Sequence, residues 1–454
     1  MKLERLHLKS FRCFDELTVD FGERLTVIVA DSGGGKTALL DAVAIGLGRC
    51  TTKLRGLTRS TIKETDFRIS EDERYEPYVM LAWEAESHDG QPIAWLIGRR
   101  RDVAVTGATI RESMSHAQLT LMQRGLKAIN AYVLSLVDAD SKQSPYFLPV
   151  VVYYVANRAT RDELRDRTDF KKTCLRFDAL AGALNPISRF RAAFEWFRAK
   201  EDDERREQRS RQDFDYRHPV LEMVRNALER ILPTGFRNPR TILSPPRFVI
   251  DRDMPDHSTQ TLRISQLSDG FRAVLALTMD LASRMLQANG NGLPADMEGI
   301  NPLDLPGIAL IDQVDLHLHP AWQRRILTDL MRTFSQTQFI VSTNSPQVLS
   351  MVKREDVRIV CRDAEGRSIA TSPLAKTYGA PSDDVLQSVM HVDPQPPVTE
   401  KEGLQQLTEW VDQGRHLEDQ AVDLLKRLTT TLGEQHPQLL RLHRSIRRQE
   451  TLER

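Results

Sequence analysis

Leu25, Thr26, Val27, Ile28 and Val29 form an apolar run that ends in the loop Ala30-Asp31-Ser32-Gly33-Gly34-Gly35-Lys36-Thr37. An almost wholly apolar strand suits a parallel sheet covered by helices on both faces. Residues 37–47 then place Leu39, Leu40, Val43 and Ile45 on the buried side of a helix. Strand, Gly-rich loop and helix in that order form the setting in which backbone N–H groups turn inward around phosphate oxygens, with the positive end of the helix behind them. Lys36 adds a point charge, and the Thr37 hydroxyl is a ligand for Mg²⁺. Ser32, Gly33, Gly34, Gly35, Lys36, Thr37 and Ala38 are therefore candidate nucleotide-binding residues. The usual pattern opens with Gly six residues before the Lys. Ala30 occupies that position, and it manages the bend only if its φ stays negative.

Two later segments extend the pattern. Ser268-Asp269-Gly270 precedes an apolar helix over residues 273–285, which leaves the N–H groups at its N-terminus free for an anion. Ile308, Ala309, Leu310 and Ile311 form a second buried strand ending in Asp312, followed by Gln313-Val314-Asp315-Leu316-His317-Leu318-His319-Pro320. A third strand, residues 338–342, ends at Thr343-Asn344-Ser345-Pro346, and a helix over residues 321–334 lies between the two. Further strands are expected within residues 76–110 and 150–155.

Length and composition set the limits. At 454 residues the chain exceeds one ordinary core and suggests two to four structural units. Lys+Arg equals Asp+Glu at 63 each, so no whole-chain basic field advertises nucleic acid. No apolar run approaches the roughly 18–20 residues of a membrane span. Four scattered cysteines without a CxxC pair argue against a disulfide framework or a zinc site and for a reducing cytoplasm. The mixed charge run at residues 198–211 reads as a solvated helical arm or loop. Residues 383–454 are amphipathic and helical, suited to a hairpin or to a platform for another subunit.

These motifs, in this order, resemble the ABC-type, SMC/RecF-like AAA ATPases of bacterial defence and DNA repair, over residues 1–375. The opening Leu6-His7-Leu8-Lys9-Ser10-Phe11-Arg12-Cys13-Phe14 is similar to the start of that group. The resemblance implies ATP and Mg²⁺ as cofactors. It makes Ser268, Asp269 and Gly270 a signature motif that caps nucleotide held by another protomer. It also makes Asp312 the Walker B aspartate, a metal ligand with Thr37, and Asp315 the D-loop aspartate. His317 and His319 belong to that loop and its helix entry, not to a metal site. The family's catalytic Glu is replaced by Gln313, which cannot act as a general base, and its switch His by Asn344, which cannot carry charge. Asp66 stands at the Q-loop-like position, and Arg158, ending a strand, is set to reach nucleotide or a partner.

The tail narrows the resemblance. Tyr378-Gly379, Ser382-Asp383-Asp384-Val385-Leu386, Met390-His391-Val392-Asp393 and Ser445-Ile446-Arg447-Arg448 are similar to the PtuA family of Septu anti-phage ATPases, found also as retron effectors. That implies a homo-oligomer of head-to-head dimers controlling an HNH nuclease (PtuB-like) in trans. Any DNA contact would run through that complex, and no membrane is involved. The alternative is a RecF- or SMC-type repair ATPase that binds DNA and turns over ATP. A transporter ATPase fits the tail poorly. The expected fold is α/β, an ABC-type head with a mixed or parallel sheet, a helical insertion and a helical C-terminal tail. Its expected parts are the N-terminal head at 1–160, the insertion at 161–240, the C-terminal head at 241–375 and the tail at 376–454.

Overall fold

The computed structural model describes residues 1–51, 54, 61–70, 72–87, 90–101, 116–156, 175–185, 191–243 and 246–452. Its strands are β1 (Lys2–Phe11), β2 (Phe14–Asp20), β3 (Leu25–Val29), β4 (Tyr78–Glu86), β5 (Pro92–Arg100), β6 (Val150–Tyr154), β7 (Phe236–Leu243), β8 (Pro246–Asp253), β9 (Thr259–Arg263), β10 (Gly307–Ile311), β11 (Thr337–Ser342), β12 (Val357–Arg362) and β13 (Ser368–Thr371). The longer helices are α1 (Lys36–Thr51), α2 (His116–Ser141), α3 (Arg191–Arg211), α4 (Pro219–Ile231), α5 (Asp269–Asn289), α6 (Ile326–Thr333), α7 (Lys401–Asp412), α8 (Asp419–Leu432) and α9 (Pro437–Leu452).

The apolar runs build the central sheet, ordered β13-β12-β3-β11-β10-β6. All its neighbours are parallel except β13, which closes the edge antiparallel. Every residue of β3, β6, β10 and β11 is buried, as strands covered on both faces require. A second, antiparallel sheet runs β2-β1-β4-β5, and β7-β8-β9 form a third. The fold is therefore α/β with a mixed central sheet. The C-terminal ends of β3, β10 and β11 come out side by side, which is where open α/β sheets present their ligand crevice.

Helix α5 is buried on nearly every side. It is anchored by a polar cluster inside the core. The Tyr154 hydroxyl donates to Asp280 Oδ2 at 2.8 Å, and Arg284 Nε donates to the same oxygen at 2.7 Å. Arg284 also donates to the carbonyls of Ala179 and Ala181, at 2.7 and 3.1 Å. Removing one partner of such a buried ion pair costs about 3–5 kcal/mol, because the other charge is left uncompensated. The cluster fixes the helix that begins at Asp269 against the strand beside β10.

The chain divides into two compact units, residues 1–390 and 391–454. The second begins later than the tail expected from 376, because Thr377, Val385 and Val389 are buried in the first unit. It is built on Leu404, Leu407, Val411, Ala421, Leu428, Leu439 and Leu442. No helix among the described residues is long and apolar enough to cross a membrane.

Several elements depart from the sequence reading. The 198–211 run is not a fully solvated arm, because Glu201 and Glu204 of α3 are buried. Glu201 accepts the Thr241 N–H at 3.1 Å, and Glu204 accepts the His218 N–H at 2.7 Å and the Arg225 guanidinium at 3.1 Å. Burial pushes the Glu201 pKa up. Phe194 and Phe197, on the same helix, pack edge-on against Phe248 at 5.3 and 5.5 Å. The helix expected over 321–334 is two pieces, Pro320–Gln323 and α6, broken at Arg324 and Arg325. The sheet β7-β8-β9 and the strands β12 and β13 were not expected, nor was α2.

Candidate nucleotide site

The loop between β3 and α1 has the shape its glycines dictate. Gly33 and Gly35 have φ of +82° and +90°, a region that costs other residues roughly 1–2 kcal/mol. A Cβ at Gly34 would lie 2.8 Å from the Ala30 Cβ, so alanine at 30 makes glycine necessary at 34. Ala30 is absent from the residues with positive φ, which meets the condition set by the sequence. Ser32 and Gly33 are exposed at the loop's outer face, while the Ala38 side chain is buried beneath it.

Lys36 is only 8% exposed. Its Nζ donates to the carbonyls of Ala30 and Asp31, at 2.6 and 3.2 Å. Burial pushes its pKa down, and the carboxylates of Asp312, Asp31 and Asp315 push it back up. The ammonium therefore sits among three acids at the open end of the sheet.

Thr37, from α1, and Asp312, at the end of β10, meet directly: the Thr37 hydroxyl donates to Asp312 Oδ2 at 2.7 Å. Asp312 is 3% exposed, and its other oxygen accepts the Ser342 hydroxyl. A hydroxyl from α1 and a carboxylate from the end of β10, brought together in this way, are oxygen donors of the kind Mg²⁺ takes. Together with the glycine cradle and the buried ammonium, they fit a magnesium-bound nucleoside triphosphate.

The next residue, Gln313, has φ +50° and donates its N–H to Ser342 Oγ at 2.8 Å. Asp315 accepts the Thr343 hydroxyl at 2.6 Å and the Asn344 N–H at 3.4 Å. The segment after β11 is thus tied to the segment after β10, both beside Lys36. Ser342 and Thr343 are the linchpins here, and sequence reading passed over them. Their signal was two hydroxyl residues in succession at the end of a buried strand.

Ser268 caps α5, accepting the Phe271 N–H at 3.3 Å. A Cβ at Gly270 would lie 2.2 Å from the His317 carbonyl, so only glycine lets α5 approach the segment after Asp315. Asp269 pairs with Arg272. Among the described residues, no hydrogen bond or ion pair joins Ser268, Asp269 or Gly270 to the Gly-rich loop of the same chain. His319 Nδ1 accepts the Ala321 N–H at 3.2 Å, a helix-cap role.

Asp66 is 1% exposed and faces Arg12, whose Nε donates to it at 2.9 Å; it also accepts the Lys63 N–H at 2.7 Å. Arg12 in turn donates to Asp41 of α1 at 2.6 Å, and Asp41 accepts the Tyr153 hydroxyl at 2.8 Å. Burial and Asp41 push the Tyr153 pKa far up, keeping its hydroxyl a donor. This network braces α1 behind the loop. Arg12 was noted only within the opening motif, and its charge partners lie far along the sequence. Arg158 falls outside the described residues.

Residues 5–217 match the family described as AAA domain, and residues 156–350 match that described as AAA domain, putative AbiEii toxin, Type IV TA system. The chain is 25% identical over 456 residues to the retron Ec83 probable ATPase of Escherichia coli, covering 87% of this chain and 77% of that protein. Septu protein PtuA of Bacillus mycoides (strain KBAB4) is 29% identical over 126 residues, 28% of this chain and 16% of that protein. Among solved structures, an SMC head bound to the C-winged helix domain of ScpA aligns with a TM-score of 0.40 and 17% identity, covering 82% of this chain and 97% of that one.

Proposed function

Because the chain is a PtuA-like or retron-type ABC ATPase, we propose that it is the nucleotide-binding regulatory and scaffold subunit of an anti-phage defence complex. In this reading it pairs head to head and controls an HNH nuclease in trans, with weak or no ATP hydrolysis. One observation supports it above the rest. Thr37 and Asp312 meet directly beside the loop that holds Lys36, and Gln313, the residue after Asp312, brings no carboxylate.

Bound MgATP would supply a cluster of negative charge and a metal ion to a site that otherwise holds several acids around one ammonium. Lys36 would turn its ammonium from the loop carbonyls to the phosphates. Thr37 and Asp312 would hold the metal. Ser268 and Gly270, at the start of α5, would present N–H groups to the nucleotide of a partner head. Gly270 packs on the His317 carbonyl, so that presentation is mechanically linked to the Asp315 segment. Gln313 can orient a water through its amide but cannot take its proton. Closure would then outlast a catalytic cycle, and nucleotide occupancy would act as the signal.

Co-expression with the product of the neighbouring reading frame tests the partner. An HNH protein is expected to co-purify stoichiometrically with the tagged chain through size-exclusion chromatography. A neighbouring HNH protein that elutes apart from it would remove the scaffold role and leave the nucleotide site untouched.

A further inference from the structure

Helix α9 carries Arg441, Arg444, Arg447 and Arg448, all exposed. Leu439 and Leu442 are buried in the second unit's core, and Ile446 packs against it. At 3.6 residues per turn the four arginines span an arc of about 120°, facing away from that apolar side. Gln449 Nε2 donates to the Val411 carbonyl at 2.9 Å, which fixes α9 on α7. The helix is therefore held in place with its arginines outward.

Among the described residues, none of the four guanidinium groups has a hydrogen-bond or ion-pair partner. The other arginine-rich helix behaves differently. On α3, Arg205 pairs with Asp202 at 2.8 Å, Arg206 with Asp203 at 3.7 Å and Arg211 with Glu207 at 2.9 Å. An ordinary solvated face mixes signs in that way. The sequence of α9 contains no lysine and one acid, Glu450.

We propose that the arginine face of α9 binds the phosphate backbone of double-stranded DNA without sequence preference. The guanidinium fork matches phosphate oxygens better than an ammonium does. Arg441, Arg444 and Arg448 repeat one chemistry along roughly 10 Å of helix, which suits a regularly charged polymer. A protein partner would call for an exposed aromatic or aliphatic anchor among the charges, and Leu440, which falls within this arc, is half-buried. The inference is independent of the nucleotide site, and it places a DNA contact on this chain, where the sequence reading had assigned DNA contact to the whole complex.

The test is fluorescence anisotropy of the full chain with a labelled duplex of arbitrary sequence, over a salt series. The variant carries Arg441→Gln, Arg444→Gln, Arg447→Gln and Arg448→Gln together. Its affinity is expected to fall by at least about 100-fold. The slope of log K against log salt is expected to shrink by roughly 3–4, one phosphate per arginine. The same four positions changed to lysine should keep most of the slope, and Arg205→Gln with Arg206→Gln on α3 should change nothing. Circular dichroism melting confirms that each variant is folded. Equal affinity and slope for the folded glutamine variant would overturn the proposal. So would a face that captures polyglutamate but not the duplex.

Discussion

Replacing Lys36 with alanine is expected to weaken MgATP binding by on the order of 100-fold or more. The ammonium reaches the loop in a setting that includes Asp31, Asp312 and Asp315. Those carboxylates raise its pKa by favouring its charge, and by the same Coulomb term they would repel a triphosphate if the charge were gone. Each charge-assisted hydrogen bond contributes about 1.5–3 kcal/mol, and 100-fold corresponds to about 2.7 kcal/mol. The substitution also removes the bonds from Nζ to the carbonyls of Ala30 and Asp31. The loop therefore loses both its charge and an internal tie. Isothermal titration calorimetry measures the affinity, and a thermal melt separates a binding defect from unfolding. A folded Lys36→Ala protein within a few-fold of the parent would mean that phosphate is held elsewhere.

Gln313→Glu is expected to raise phosphate release by about 100-fold, the lower end of what a positioned general base contributes. The backbone is already set for it. Gln313 sits at φ +50° with its N–H on Ser342 Oγ, and the Asp312 carboxylate is held by Thr37 and Ser342. A glutamate would inherit that position without rebuilding the strand end. The second departure, Asn344, limits the gain. Its N–H reaches Asp315, but an amide side chain brings no positive charge. A malachite-green phosphate assay on the purified variant reads the outcome. No rise above the parent would show that the missing carboxylate at 313 is not what limits turnover.

Much of this was legible in the sequence because burial on both faces leaves an apolar signature. β3 and β10 appear as runs rich in Val, Ile and Leu, with the Gly-rich loop and Asp312 directly after them, and β6 and β11 as apolar stretches carrying Tyr or Phe. The β7-β8-β9 sheet was illegible for the opposite reason. It is held across its strands by ion pairs, Arg237–Asp253 at 3.0 Å and Arg240–Asp251 at 2.7 Å, and charged residues hide the alternation a strand normally shows. The buried acids of α3 were misread likewise, since Glu201 and Glu204 find partners on other elements that spacing cannot reveal. At the site, the motif residues were all visible. The residues that aim them were not, because Ser342, Thr343, Arg12 and Asp41 act through contacts far apart in sequence.

Under the proposed function, this site recognises nucleotide and barely consumes it. Its most direct test joins two readings on one preparation of the unaltered chain: equilibrium binding of ATP with and without Mg²⁺, and steady-state phosphate release with and without duplex DNA. Saturable, Mg²⁺-dependent binding is expected, with phosphate release far below the roughly 1 s⁻¹ floor of ordinary enzymes and unchanged by DNA. DNA-stimulated turnover at or above that rate would contradict it and make the chain a repair-type ATPase, and absence of ATP binding would remove the site's function altogether.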